Sequence, residues 1–129
     1  MCAVSRAEEV PQTDRGLVET HSGKMIEAVL ARISKAGVGG DYRGCPFLNA
    51  AAEYPDPTSP VRQAIDARRS CYHDSLRHLL AADGDPAPSI TASLLVAVSD
   101  GLLESAYLDD PESIPALVRE AVARLLDRR

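Results

Sequence analysis

The sequence has no tryptophan and a single phenylalanine, and aromatics make up only 4% of its 129 residues. Apolar residues still reach 45%, and most of them are Ala, Leu and Val. A core drawn from helix formers, with few aromatic and β-branched side chains, points away from a sheet. Cysteine is scarce too. Cys2, Cys45 and Cys71 are odd in number, widely spaced and contain no CxxC pair. That excludes a disulfide framework and predicts reduced thiols in a cytosol. A basic segment is also missing. The net charge is −5, with Lys and Arg interspersed among acids along the chain, so no stretch offers a footprint for a phosphate backbone. The first twenty residues hold no apolar run of signal-peptide length. Polar or charged residues interrupt every apolar run further on, so no membrane span is expected.

Enzyme motifs are absent as well: no Gly-x-Ser-x-Gly, Walker loop, Gly-x-Gly-x-x-Gly or His-Glu-x-x-His occurs. The glycine cluster Gly37-Val38-Gly39-Gly40 follows no strand and precedes no Lys-Ser/Thr, so it reads as a helix stop. His73 and His78 are five apart and do not share a helix face, and Cys71 stands at a different angle on the wheel. No metal site, cofactor or catalytic activity is expected from these residues.

What the sequence does have is helical punctuation. Its length fits one domain that buries roughly two-thirds of its unfolded surface. Residues 1–20 are a weakly patterned lead-in, and 21–129 form the domain. Met25, Ile26, Val29, Leu30 and Ile33 share one face of an amphipathic helix over about 17–36. A short helix from Pro46 to Glu53 is clamped between Gly44 and Pro55. Ser59-Pro60 opens a helix that runs to about residue 83 and stops at Gly84. Val61, Ile65, Tyr72, Leu76 and Leu79 form its apolar stripe. The next helix, about 86–108, is apolar over well over half its circumference, with Ser93, Asp100 and Glu104 on one polar arc. Asp109-Asp110-Pro111 breaks the chain before the last helix, which starts from a cap at either Asp110 or Ser113.

The last two helices form a hairpin with a very short connection. They present more apolar surface than one small core hides, so a second copy is expected to cover the rest as a four-helix interface. The alternative is a monomer whose other helices cover both faces. Residues for such an interface are Leu95, Leu102, Ile114, Leu117, Val118, Ala121 and Leu125. A small-molecule pocket would draw on Phe47, Asn49, Tyr72, Leu76 and Leu103. Tyr72 is read either as core with a satisfied hydroxyl or as a cavity wall. Asn49 either bonds within the core or faces a cavity. Asp100 is read either as a solvated residue or as a buried acid that binds a cationic ligand. Cys45 is either a small buried hydrophobe or a reactive thiol at a helix start.

The run Arg43-Gly44-Cys45-Pro46-Phe47-Leu48-Asn49-Ala50-Ala51-Ala52-Glu53, followed by Pro55-Asp56-Pro57 and Pro60-Val61-Arg62, carries a family resemblance. It is similar to the entry of the C-terminal, effector-binding and dimerisation domain of TetR-type transcriptional regulators. Gly101-Leu102-Leu103 and Asp110-Pro111 resemble the same branch. The resemblance implies an all-α bundle of about five helices. Its first helices surround a cavity for a small, hydrophobic effector, and its last two make a homodimer in the cytoplasm. A complete member carries a basic three-helix DNA-binding head before the first of these helices. Only about twenty residues precede it here, so no DNA binding is expected from this chain alone.

Overall fold

The computed structural model describes Ile26, Ala28, Leu30, Arg32 and residues 40–126. The expectations for the lead-in, for Cys2, for Met25, Val29 and Ile33, and for the glycines at 37 and 39 lie outside the described residues. Ile26, Ala28, Leu30 and Arg32 are all helical, and Ile26 and Leu30 are fully buried. Four further helices follow: α1 (Pro46–Glu53), α2 (Pro60–Ala82), α3 (Pro88–Leu108) and α4 (Ile114–Leu126). A 3-10 turn, Pro111–Ser113, leads into α4. The fold is all-α.

Short-range chemistry sets each boundary. Pro46 occupies the first turn of α1, and Pro60 the first turn of α2. Ser59 stands at the N-cap of α2, but its side chain makes no capping bond. At the other end Gly84, with φ +79, closes a Schellman motif. Its N–H donates to the Ala81 carbonyl and the Asp85 N–H donates to Leu80. The expected start of α3 at 86 moves to Pro88. Asp85 Oδ1 accepts the Ala87 N–H at 2.7 Å, and a residue before proline is pushed out of the α region. Ala87 accordingly has φ −140 and ψ 65. Asp110 caps the 3-10 turn, its Oδ1 accepting the Glu112 N–H at 3.0 Å, and α4 itself begins at Ile114, directly after Ser113.

The core lies between α2, α3 and α4. It takes Leu76, Leu79 and Leu80 from α2, Ala92, Leu95, Val96, Leu102 and Ala106 from α3, and Ile114, Val118 and Val122 from α4; Ile26 and Leu30 join them. The pairing of α2 with α3 is the most extensive, α4 packs on α3, and α1 packs on α2. No residue of α1 is fully buried.

Two expectations need correction. By length and composition α3 could cross a membrane, although the polar interruptions were expected to exclude any such stretch. Only Asp100 and Glu104 are charged in it, and Ser and Thr lower hydropathy little. Its deeply buried residues make it the core helix of the bundle. Cys71 is disulfide-bonded, where reduced thiols were expected. Spacing along the chain does not report proximity in space. Cys45 is free and buried.

Candidate functional site

The polar arc of α3 turns out to be a seam that docks other parts of the chain. Ser93 Oγ lies 3.0 Å from His73 Nε2. Asp100 receives two parallel hydrogen bonds from Arg69, at 2.9 and 2.8 Å. Glu104 Oε1 accepts the backbone N–H of Cys45 at 3.0 Å. Arg69 and His73 stand four apart on α2 and therefore on one face. The matching Ser93 and Asp100 stand seven apart on α3, also on one face. Asp100 is thus neither free in solvent nor an unpaired buried acid: its cation is Arg69, whose pKa its hydrogen bonds push further up. Both side chains keep substantial exposure, so the pair contributes about 1 kcal/mol at most and acts chiefly on register.

A cleft of about 540 Å³ opens along this seam. Arg69, Ser70, His73 and Asp74 form one wall, and Ser93, Val96, Ala97 and Asp100 the other. Beneath it Tyr72 reaches Ser99 Oγ at 2.9 Å. Ser99 Oγ donates its only proton to the Leu95 carbonyl at 2.7 Å, so the Tyr72 hydroxyl is the donor in that pair. Burial pushes the Tyr72 phenol above its ordinary value of 10.0, and the nearby Asp100 carboxylate acts in the same direction. The raised folded-state pKa fixes the sign. This contribution is whole below pH 10 and is lost as pH climbs through the higher folded value. Tyr72→Phe is expected to flatten part of the alkaline fall in stability, read from urea melts between pH 7 and 11. At neutral pH it should cost about 0.5–1.5 kcal/mol for the lost bond.

A second cluster fixes the loop before α1 to the C-terminal half of α3. The Tyr42 hydroxyl donates to the Leu103 carbonyl at 2.7 Å, and the Arg43 guanidinium lies 5.8 Å from the centre of the Tyr107 ring. Gly44, at φ +85, packs directly on the Glu104 carboxylate.

The five residues expected to line an apolar pocket are not brought together. Tyr72, Leu76 and Leu103 share the core cluster. Phe47 is exposed on α1 under the Arg68 guanidinium, 4.5 Å from its ring centre. Asn49 is exposed and donates to the Arg43 carbonyl at 2.9 Å, which settles its role as a local bond. A short helix with apolar residues on every side does not reveal which side meets α2. Of the residues expected at an interface, Leu95, Leu102, Ile114 and Val118 are taken into the protomer's own core. Leu117 is exposed, and Ala121 and Leu125 are half-buried.

The exposed apolar arc of α3 is a different one: Ile90, Leu94, Ala97, Gly101 and Leu108. Their spacing of four, three, four and seven repeats one face of a helix. A Cβ added at Gly101 would meet nothing within 4 Å. Sequence reasoning missed this arc and the cleft. The recurrence of Ser93, Asp100 and Glu104 opposite Arg69 and His73 was the available signal for the seam.

Residues 50–128 match the family described as tetracyclin repressor-like, C-terminal domain. The chain belongs to that family. Within it, the TetR-like chain is 34% identical over 62 residues to the HTH-type transcriptional regulator YjdC of Escherichia coli (strain K12), and equally to YjdC of Shigella flexneri. The match covers 48% of this chain and 32% of each relative. Its fold superposes with a TM-score of 0.75 and 32% identity on SCO4454, a TetR-family transcriptional regulator from Streptomyces coelicolor. That superposition covers 88% of this chain and 61% of SCO4454. The TetR-like chain thus spans about a third of the length of the curated relatives it matches. The family is one of transcriptional regulators, not an enzyme class.

Proposed function

We propose that this TetR-like domain homodimerises through α3 and α4 and senses a small effector on behalf of a cytoplasmic transcriptional regulator. Gly101 carries the dimer reading. Glycine inside a helix is about 1 kcal/mol less favourable than alanine, and no described residue fills the space its Cβ would take. A second helix crossing there would use that space. The apolar side chains around it are open: Ile90 is 66% exposed and Leu108 72%. On α4, Leu117 is exposed as well. Each large side chain covered by a second copy would contribute about 1.5–3 kcal/mol.

We assign effector sensing to the cleft between α2 and α3. Ala97 supports this assignment, because it belongs both to the cleft wall and to the apolar arc. A ligand there would lie against the surface that meets the second copy. The reading revises the expected hydrophobic effector, since the cleft walls are mostly polar. It keeps the expectation that these residues alone bind no DNA.

Light scattering is the decisive measurement. The wild-type chain is expected at twice the chain mass. Leu94→Asp and Gly101→Ile are expected at the mass of one chain, with helical circular dichroism retained. A monomeric wild type, or a Leu94→Asp dimer, would overturn the proposed interface.

A further inference from the structure

The polar groups of the cleft do not fully satisfy one another. His73 Nε2 faces two oxygens, the Ser89 carbonyl at 3.2 Å and Ser93 Oγ at 3.0 Å. A carbonyl only accepts, so Nε2 carries a proton, and in the neutral ring Nδ1 presents a lone pair. Nδ1 in turn faces Asp74 Oδ1 at 3.9 Å. Two acceptors thus face each other across the space of one donor. Arg77 Nε approaches the same oxygen at 3.7 Å, which is too long for a hydrogen bond, and Asp74 stays 62% exposed. The Ser70 side chain, on the same wall, is exposed. Arg69 and Asp100 neutralise one another, so the charge left on the lining is that of Asp74, which is only loosely ion-paired with Arg77 outside the cleft. Val96 and Ala97 supply apolar contact opposite.

We propose that the cleft takes a small organic cation with N–H donors on an apolar body, that is, a primary or secondary amine. Its N–H enters between His73 Nδ1 and Asp74, and its body rests on Val96 and Ala97. An anion meets the opposite conditions, because the Arg69 charge is already engaged by Asp100 and Asp74 repels it. This inference rests on the effector reading of the cleft and gives that effector a chemical class.

Tryptamine and indole-3-acetate carry the same ring with opposite charges. Each is titrated into the full chain at neutral pH while melting temperature and the amide resonances of His73, Asp74 and Ala97 are followed. Tryptamine is expected to raise the melting temperature with concentration and to shift those resonances; indole-3-acetate is expected to do neither. Asp74→Asn should weaken tryptamine binding about twofold to fivefold, the range of an exposed charge pair. Indole-3-acetate binding at the same amides as tightly as tryptamine would overturn the cation assignment while keeping the cleft as an effector site. Binding of neither compound, or tryptamine binding unchanged by Asp74→Asn, would overturn the inference itself. The dimer is read separately, from solution mass.

Discussion

Leu95→Ala is expected to lower the unfolding free energy by about 2–5 kcal/mol. Leu95 is fully buried among the side chains of the core cluster. Truncating it removes the transfer free energy of three carbons and leaves a cavity that helices pinned on two sides cannot collapse into. Its neighbour gives the control. Leu94, one position earlier and 45% exposed, sits about 100° round the helix on the open arc. Leu94→Ala should change protomer stability by no more than about 0.5 kcal/mol and should weaken association of the two copies. Urea unfolding at fixed protein concentration measures the first effect, and the concentration dependence of the midpoint measures the second. Similar losses from both substitutions would contradict the orientation of α3.

Gly44→Ala is expected to destabilise the fold by about 2–5 kcal/mol, from two sources that add. The residue holds φ +85, a left-handed conformation in which a Cβ costs about 1–2 kcal/mol. That Cβ would also stand 2.6 Å from Glu104 Oε2. Glu104 is flexible enough to swing away, but in doing so it gives up the Cys45 N–H it accepts at 3.0 Å. Leaving that part-buried donor unpaired costs about 1–3 kcal/mol. A double-mutant cycle with Glu104→Ala separates the sources. The backbone penalty should persist in the Glu104→Ala background, and the steric part should vanish. A full Gly44→Ala effect in that background would show that the Glu104 contact is immaterial.

Much of the fold was legible in the sequence. Pro46 and Glu53 bound α1 as expected, and α2 runs from Pro60 to within a residue of the expected end. These limits are set by proline, glycine and aspartate acting over two to five residues, a range that sequence reading covers well. The family was legible for a related reason. Gly44 and Cys45 sit where α1 begins, and their geometry is tied to one partner, Glu104.

The candidate site was less legible. Tyr72 and Leu76, both on the expected stripe of α2, join the core cluster, whereas Phe47 and Asn49 are exposed. Asp100 stood out as an acid in an apolar helix. Its partner, Arg69, lies 31 residues away, and neither residue's local context points to the other.

The sequence by itself determined the helical class, most of the helix limits and the family, because those depend on local propensity and on short-range caps. Only the tertiary structure decided which arc of α3 is spent inside the protomer and which is left open. Leu94 and Leu95 are the same residue type in the same helix, and a wheel apolar over well over half its circumference leaves its rotation undefined. The rotation is fixed by Ser93, Asp100 and Glu104 bonding to His73, Arg69 and Cys45. Those bonds exist only once helices distant in sequence have packed, and they turn Leu95 inward while Leu94 and Gly101 face out.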